Sequence, residues 1–529
     1  MPPLRCKGLI PVLAVFTVIF CLWCVERFHH TPSEPWHHPL EKAVITSLLP
    51  SAKRPIPAPV LVPGPVQSEV PEKLCDLDVA IPIPFSFPEW LGHKNYTRVY
   101  FQPRHVDPET KFSSMEVIDK PVLQPFRPLH RGMRAPQRPM GHQHSCPSVV
   151  DVNVGTDVDV KDTEMMLFGL ATTIERLNRM LPSLMYSYGH TKASLLVLVP
   201  KDTKDIASHE TYFRSRGLDV TLKASPLKFT ARYFGLVEAF TEHIKKNRPN
   251  TTWVGWVDDD TFFPSLGRIA KRLADLDSGK KHYIGALSEA SGQVDIFGHI
   301  AFGGAGVFVS KTLLEKLVEV YDKCQDFSEQ PGDQKLAQCI DKQCGTRLTI
   351  WDSLYQMDMR GEPDGVFESG RIIDSLHHWN SWYNKDVVKM SSVAAAAGRD
   401  SVLRRWRFDE KEIIDPETGT KKHSFWVLTN GYSIIRYMAG GKLGASTVNF
   451  DKVEKTWADN QDPYEKRLGP MRPKNQDGVE KQRWMLRESI VIGENVHQLY
   501  MREEVETHSI IEVVWLGPWS HKRGHGEHG

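Results

Sequence analysis

The chain has 529 residues, with 66 Lys and Arg against 65 Asp and Glu and a formal net charge of +1. This balance removes any broad electrostatic reason to bind nucleic acid or an anionic surface, so partners have to be argued from local sites. At roughly 100 to 200 residues per domain the length exceeds one ordinary domain and suits a large core with appendages.

After a short basic tail (residues 1–7, with Arg5 and Lys7), residues 8–25 run GLIPVLAVFTVIFCLWCV without a charge, and Glu26 and Arg27 follow. As a helix this run spans about 27 Å, close to the roughly 30 Å hydrocarbon core of a bilayer. It exceeds the roughly 7 to 15 apolar residues of a cleaved signal peptide, and no small-x-small site follows. The expectation is a transmembrane signal anchor, cytosolic at its basic N-terminal end, with the rest of the chain lumenal in the Golgi or ER. An oxidising lumen suits disulfides among Cys75, Cys146, Cys324, Cys339 and Cys344, with one left over. Cys324 with Cys339 or Cys344 is the preferred local pair. A zinc site lacks the close Cys-x2-Cys spacing and a matching His pair. The sequons at Asn95 and Asn250 are compatible with the lumen.

Residues 26–150 are crowded with proline (PIPAPVLVPGPV at 55–66, IPIPFSFP at 81–88) and show no sustained period. Proline removes donors and holds the backbone extended, so the segment reads as a stem. Its later aromatics, Trp90, Tyr100 and Phe101, are suited to packing on the domain that follows. Over 151–400 short apolar runs alternate with amphipathic segments, the mark of an α/β sheet. Strands are expected at 165–170, 195–199, 220–222, 253–257 and 283–286. Between them, Tyr233, Leu236, Val237, Phe240 and Ile244 recur at helical spacing, as do Leu266, Ile269, Leu273 and Leu276. A doubly wound sheet follows from that order. Over 401–529 the helical period disappears, and FWVLTNGYSIIRYM (425–438) and HSIIEVVWL (508–516) read as strands of a smaller β-rich extension.

Chemistry concentrates in a few places. WVGWVDDDTFF (253–263) sets Asp258, Asp259 and Asp260 directly after a buried strand, where open α/β sheets bind ligands. Three adjacent acids repel one another, and a divalent cation bridging to phosphate oxygens compensates them. The plainer alternative is a solvated turn with Asp260 capping the next helix. Successive side chains at a strand end diverge, so one cation cannot take all three. Asp260 is the surest ligand, Asp258 a metal or nucleotide-sugar contact, and Asp259 the least certain. Oxygen ligands suit Mg²⁺ or Mn²⁺, and an imidazole favours Mn²⁺. His377 and His378 in SLHHWNSWY (375–383) are the candidates, although a His pair beside tryptophans can equally be packing. In FGGAGVFVS (302–310), Gly303, Gly304 and Gly306 permit close approach of a ligand to the backbone or simply a tight turn. Thr312 and Glu315 fit a capping box for the helix after it. Asp333, near the start of PGDQKLAQC (331–339), suits a helix N-cap or a general base.

Taken in order, ATTIERL (171–177), WVDDDTFF, FGGAGVFVS, GDQKLAQC and LHHWNSW resemble the Fringe-like branch of glycosyltransferase family 31. The resemblance covers roughly residues 160–385. It implies a GT-A fold, a UDP-sugar donor, Mn²⁺ with Mg²⁺ as the alternative, and inverting transfer to an acceptor hydroxyl, usually in a β1,3 linkage on a glycan or glycoprotein. It places the acidic motif on Asp258, Asp259 and Asp260, the metal-binding imidazole on His377 and the base on Asp333. Thr172, Thr173 and Arg176 fall where such enzymes hold the nucleotide. Many relatives carry paired acids where this chain has Gly332-Asp333, and the region after residue 400 departs from the animal Fringe pattern. A metal-dependent phosphohydrolase and a non-catalytic lectin-like protein are the competing classes.

Overall fold

The computed structural model describes residues 83–517 apart from 86, 88–92, 108–109, 130–148, 157–159, 328–330, 416–417, 441–447, 459–464 and 505–506. The apolar run 8–25, most of the proline-rich stem, Cys75, Trp90 and Cys146 lie outside the described residues. Among those described, no helix is long and apolar enough to cross a membrane.

The region bearing the motifs is built on a seven-stranded sheet. Its spatial order is Leu348–Ile350, Tyr283–Gly285, Val307–Ser310, Trp253–Trp256, Met166–Ala171, Ser194–Pro200 and Val220–Ser225. The last four run parallel. Their middle residues are buried on both faces, as in Met166–Leu170 and Leu195–Val199, which is why they read as continuous apolar runs. The helices Ile174–Tyr188, Ile206–Ser215 and Phe229–Asn247 connect them in turn. Each helix therefore starts at the carboxyl edge of the sheet. The chain first runs outward from Met166–Ala171 and then returns to its other side with Trp253–Trp256, so the switch point lies between these two strands, the usual place for a ligand crevice.

The sheet is mixed. Val307–Ser310 runs antiparallel to both neighbours. Only four residues long and introduced by Gly306 at φ +93°, it is too short to give a period of its own. The helix after it, Lys311–Glu319, is capped by Ser310, whose hydroxyl accepts from the Leu313 N–H. The Thr312–Glu315 capping box does not form, because the Thr312 hydroxyl donates to the Ser278 carbonyl.

A second, ten-stranded sheet joins both ends of the described chain. It runs from Glu116–Ile118 through Arg405–Ile414, Lys421–Thr429, Ser433–Gly440, Val479–Ile492, Asn495–Arg502 and Thr507–Trp515 to His93–Val106 and Arg127–Pro128, and Val149–Gly155 also pairs with His93–Val106. Residues 93–106, read from sequence as stem, thus lie parallel to Thr507–Trp515, with Tyr100 opposite Val514 and Phe101 opposite Trp515. Residues 96–102 are buried without alternation, so no two-residue period marks the strand. Buried Thr97, Arg98 and Gln102 further disguise it. Arg98 is matched by Glu512, which is 0% exposed and 2.9 Å away. The run 425–438, which reads as one strand, is a hairpin broken at Asn430-Gly431, where Gly431 takes φ +78°. Cys324 pairs with Cys339, and Cys344 is a free, buried thiol.

Candidate active site

The acidic turn is assembled by three ties. Thr261 is the first: its hydroxyl accepts from the Asp258 N–H at 3.0 Å and donates to the Gly304 carbonyl at 2.9 Å. Phe262 and Leu376 next exchange backbone hydrogen bonds of 2.8 and 2.9 Å, which draws the His377 segment alongside. The Trp379 indole N–H then donates to the Asp260 carbonyl at 2.6 Å. Residues more than a hundred positions apart in sequence meet through these contacts.

The three carboxylates diverge. Asp258 and Asp260 face one nitrogen, with His377 Nε2 3.3 Å from Asp258 Oδ2 and 3.0 Å from Asp260 Oδ1. Asp259 turns the other way and is engaged at both oxygens by the Arg176 guanidinium, with Thr172 donating to it as well. Thr173 caps the helix that carries Arg176, accepting from the Arg176 N–H. Asp259 and Arg176, both expected on the nucleotide, are thus bound to each other.

Burial alone would raise the Asp260 carboxyl, but His377 beside it, with help from Ser381, holds it at about 2. Burial likewise disfavours the His377 cation, yet Asp258 and Asp260 lift its pKa to about 10. A proton thus sits where a cation would compensate the same charge. Two donors about 2.1 Å from one octahedral cation lie about 3.0 Å apart in adjacent positions. His377 stands at about that spacing from each of Asp258 and Asp260, and oxygens with one imidazole suit Mn²⁺. The set whose ligand atoms all lie within 4.8 Å of one another is Asp260, His377 and, in place of Asp258, His378. Its ring, however, already meets Asp358 at 3.2 Å and Ser381 at 3.1 Å. Its backbone, at φ +54°, turns the two rings to different partners.

The glycine run fits closely around these groups. A Cβ on Gly304 would stand 2.2 Å from the His377 ring, and one on Gly303 2.7 Å from the Tyr233 hydroxyl. The Gly303 N–H donates to Asp333 Oδ2 at 3.3 Å, joining the run to the helix Gly332–Cys344. Asp333 is in the first turn of that helix, after Pro331 at the cap position, so the N-cap reading does not hold. Burial pushes its carboxyl above the ordinary value; the Gly303 N–H works against this and the charge of Asp258 adds to it.

Sequence reasoning missed the groups behind the site. The Gln356 side chain accepts from the Ala305 N–H at 2.8 Å. Glu289, 0% exposed, accepts from the Gln356 and Asp358 N–H groups at 3.1 and 3.3 Å, and burial raises its carboxyl to about 7. Tyr233 packs between Gly303 and Gly332. Only the helical spacing of Tyr233 carried any signal, and that signal pointed to packing.

A family described as a protein of unknown function, DUF604, matches residues 294–487, less than half of the chain. No curated protein matches. Among solved structures, a mannosyltransferase from Pyrobaculum calidifontis in complex with GDP-Man and Mn²⁺ aligns at 13% identity and TM-score 0.25, over 37% of this chain and 57% of that one. A glycosyltransferase involved in glycosylation of the major capsid of PBCV-1 aligns at 14% and 0.25, over 40% and 92%. Mouse xyloside xylosyltransferase 1 aligns at 11% and 0.23, over 35% and 84%. The alignments span 57% and 40% of the mannosyltransferase and of the bifunctional glycosyltransferase WbbM, short of two thirds of either. At these identities and TM-scores they carry no argument about function.

Proposed function

We propose that the chain is a metal-dependent, inverting glycosyltransferase that moves a hexose or N-acetylhexosamine from a UDP-sugar to an acceptor hydroxyl on a glycan or glycoprotein, forming a β1,3 linkage. One observation carries the reading. Two carboxylates meet one imidazole nitrogen, and Asp333 accepts from Gly303 in the glycine run whose Gly304 abuts that imidazole. The strand order, with its switch point at the acidic turn, supports a GT-A arrangement. Anchoring by residues 8–25 and a lumenal Golgi location belong to the same proposal and rest on the sequence alone.

Asp258, Asp260 and His377 would hold Mn²⁺, which supplies charge compensation for the departing diphosphate. Arg176 and Thr172 lock Asp259 and keep the acidic turn in the orientation that points its neighbours at His377. Asp333 takes the proton of the acceptor hydroxyl. The acceptor oxygen forms its bond to the anomeric carbon from the face opposite UDP, the bond to the diphosphate oxygen breaks, and UDP leaves with that electron pair. The carboxyl suits this task because burial brings its pKa toward the working pH.

The variant Asp333→Asn should keep UDP and Mn²⁺ binding and lose transfer by about 100-fold or more. Unchanged turnover removes Asp333 from the role.

A further inference from the structure

The helix Phe229–Asn247 lies between two parallel strands, so its amino end opens at the carboxyl edge of the sheet, beside the acidic turn. Its cap residue, Lys228, is extended and offers no side-chain bond to the first turn. The free N–H groups and the dipole of such an end favour an anion. Arg232, in that first turn, is 5% exposed. Its Nε has no hydrogen-bond partner, and its one hydrogen bond among the described residues is a long 3.5 Å approach of Nη1 to the Thr172 carbonyl. Among the described residues no carboxylate comes within the 4.0 Å of an ion pair with it. Its guanidinium stands 5.7 Å over the ring of Phe229, which is itself 59% exposed. The charge of Asp202 reaches it only from beyond that distance; a buried guanidinium without a paired carboxylate is costly, and its planar fork matches phosphate oxygens.

We infer that Arg232 and the amino end of this helix form a phosphate-binding position beside Thr172, and that the diphosphate of the nucleotide-sugar donor fills it. The assignment of that phosphate to a donor rests on the function proposed above; the anion position itself does not. Thr172 connects the two places, since its carbonyl meets Arg232 and its hydroxyl meets Asp259. Arg232 thus holds the donor next to Thr172. It is a binding residue with no part in proton transfer.

The test is titration calorimetry on the purified full-length chain and its Arg232→Gln and Arg232→Lys variants. The probes are UDP and uridine with Mn²⁺, and inorganic pyrophosphate with EDTA. Arg232→Gln should weaken UDP and pyrophosphate by about 10-fold or more, as loss of a charge-assisted bond implies, and leave uridine unchanged. Arg232→Lys should recover part of the loss. The melting temperature of ligand-free Arg232→Gln should stay level or rise, because an unpaired buried charge has been removed, whereas an arginine needed only for packing would lower it. Equal UDP affinity in wild type and Arg232→Gln overturns the inference and leaves the donor reading standing. Arg232-dependent binding of pyrophosphate without binding of UDP upholds the anion position and removes the donor reading. A wild type that binds neither probe contradicts both.

Discussion

Gly304 shows how tightly the metal-ligand residues are placed. With any Cβ 2.2 Å from the His377 ring, Gly304→Ala must move either the imidazole or the backbone that receives the Thr261 hydroxyl. The expected result is a folded protein that loses Mn²⁺-dependent stabilisation by UDP in a thermal-shift measurement. Full retention would mean that His377 is not held where the carboxylates need it. At this scale the sequence was readable wherever chemistry is unusual, as in three adjacent acids after a buried strand or an acid in the first turn of a helix. It could not choose between His377 and His378, because the choice is made by partners far away in the chain. Asp258 and Asp260 claim one ring, and Asp358 claims the other. Nor could it show that Asp259 is taken up by Arg176, 83 residues earlier.

Elements were legible where they carry a period. The parallel strands, and the helices read at Tyr233–Ile244 and Leu266–Leu276, fall within a few residues of their expected positions, because apolar runs and helical spacing are written locally. The strand His93–Val106 is not, since its middle is buried on both faces and its Arg98 is matched by Glu512, four hundred positions later. Glu512 illustrates what that matching contributes. Burial would raise its carboxyl, but Arg98 and His497 together lower it below the ordinary value. The resulting stabilisation is complete above the carboxyl's unfolded pKa and is lost as pH falls through the folded one. Glu512→Ala leaves Arg98 charged and buried without its counter-ion, at a cost of roughly 3 to 5 kcal/mol. A urea midpoint close to that of the wild type would show that the pair contributes little to the ten-stranded sheet.

The chain as a whole closes the ten-stranded sheet by pairing its early strand, His93–Val106, with its late one, Thr507–Trp515. A chain shortened to begin at residue 151 should therefore aggregate on expression, while one beginning at residue 83 should give a soluble, cooperatively unfolding protein. Equal behaviour of the two would mean that the early strand is dispensable. The same sheet separates the two sequons. Asn95 is paired on both sides, to Ser509 and Pro128, and the Thr97 hydroxyl is bound to the Gln124 carbonyl. Asn250 instead lies exposed in the turn before Trp253–Trp256. When the chain is made in secreting cells, glycosidase treatment should shift its mass by one glycan, and Asn250→Gln should abolish the shift. A glycan remaining on that variant would sit on Asn95 and contradict the pairing of that strand.

The site unites these scales, because its acids, its imidazole and its base come from separate elements that meet only in the folded chain. Thermal denaturation with UDP, GDP and CMP sugars, each with and without Mn²⁺, tests it most directly. The melting temperature should rise with a UDP-sugar only when Mn²⁺ is present, and the rise should vanish in Asp260→Ala. No UDP-dependent rise in the wild type, or one that survives unchanged in Asp260→Ala, would contradict a metal-held nucleotide-sugar site at the acidic turn.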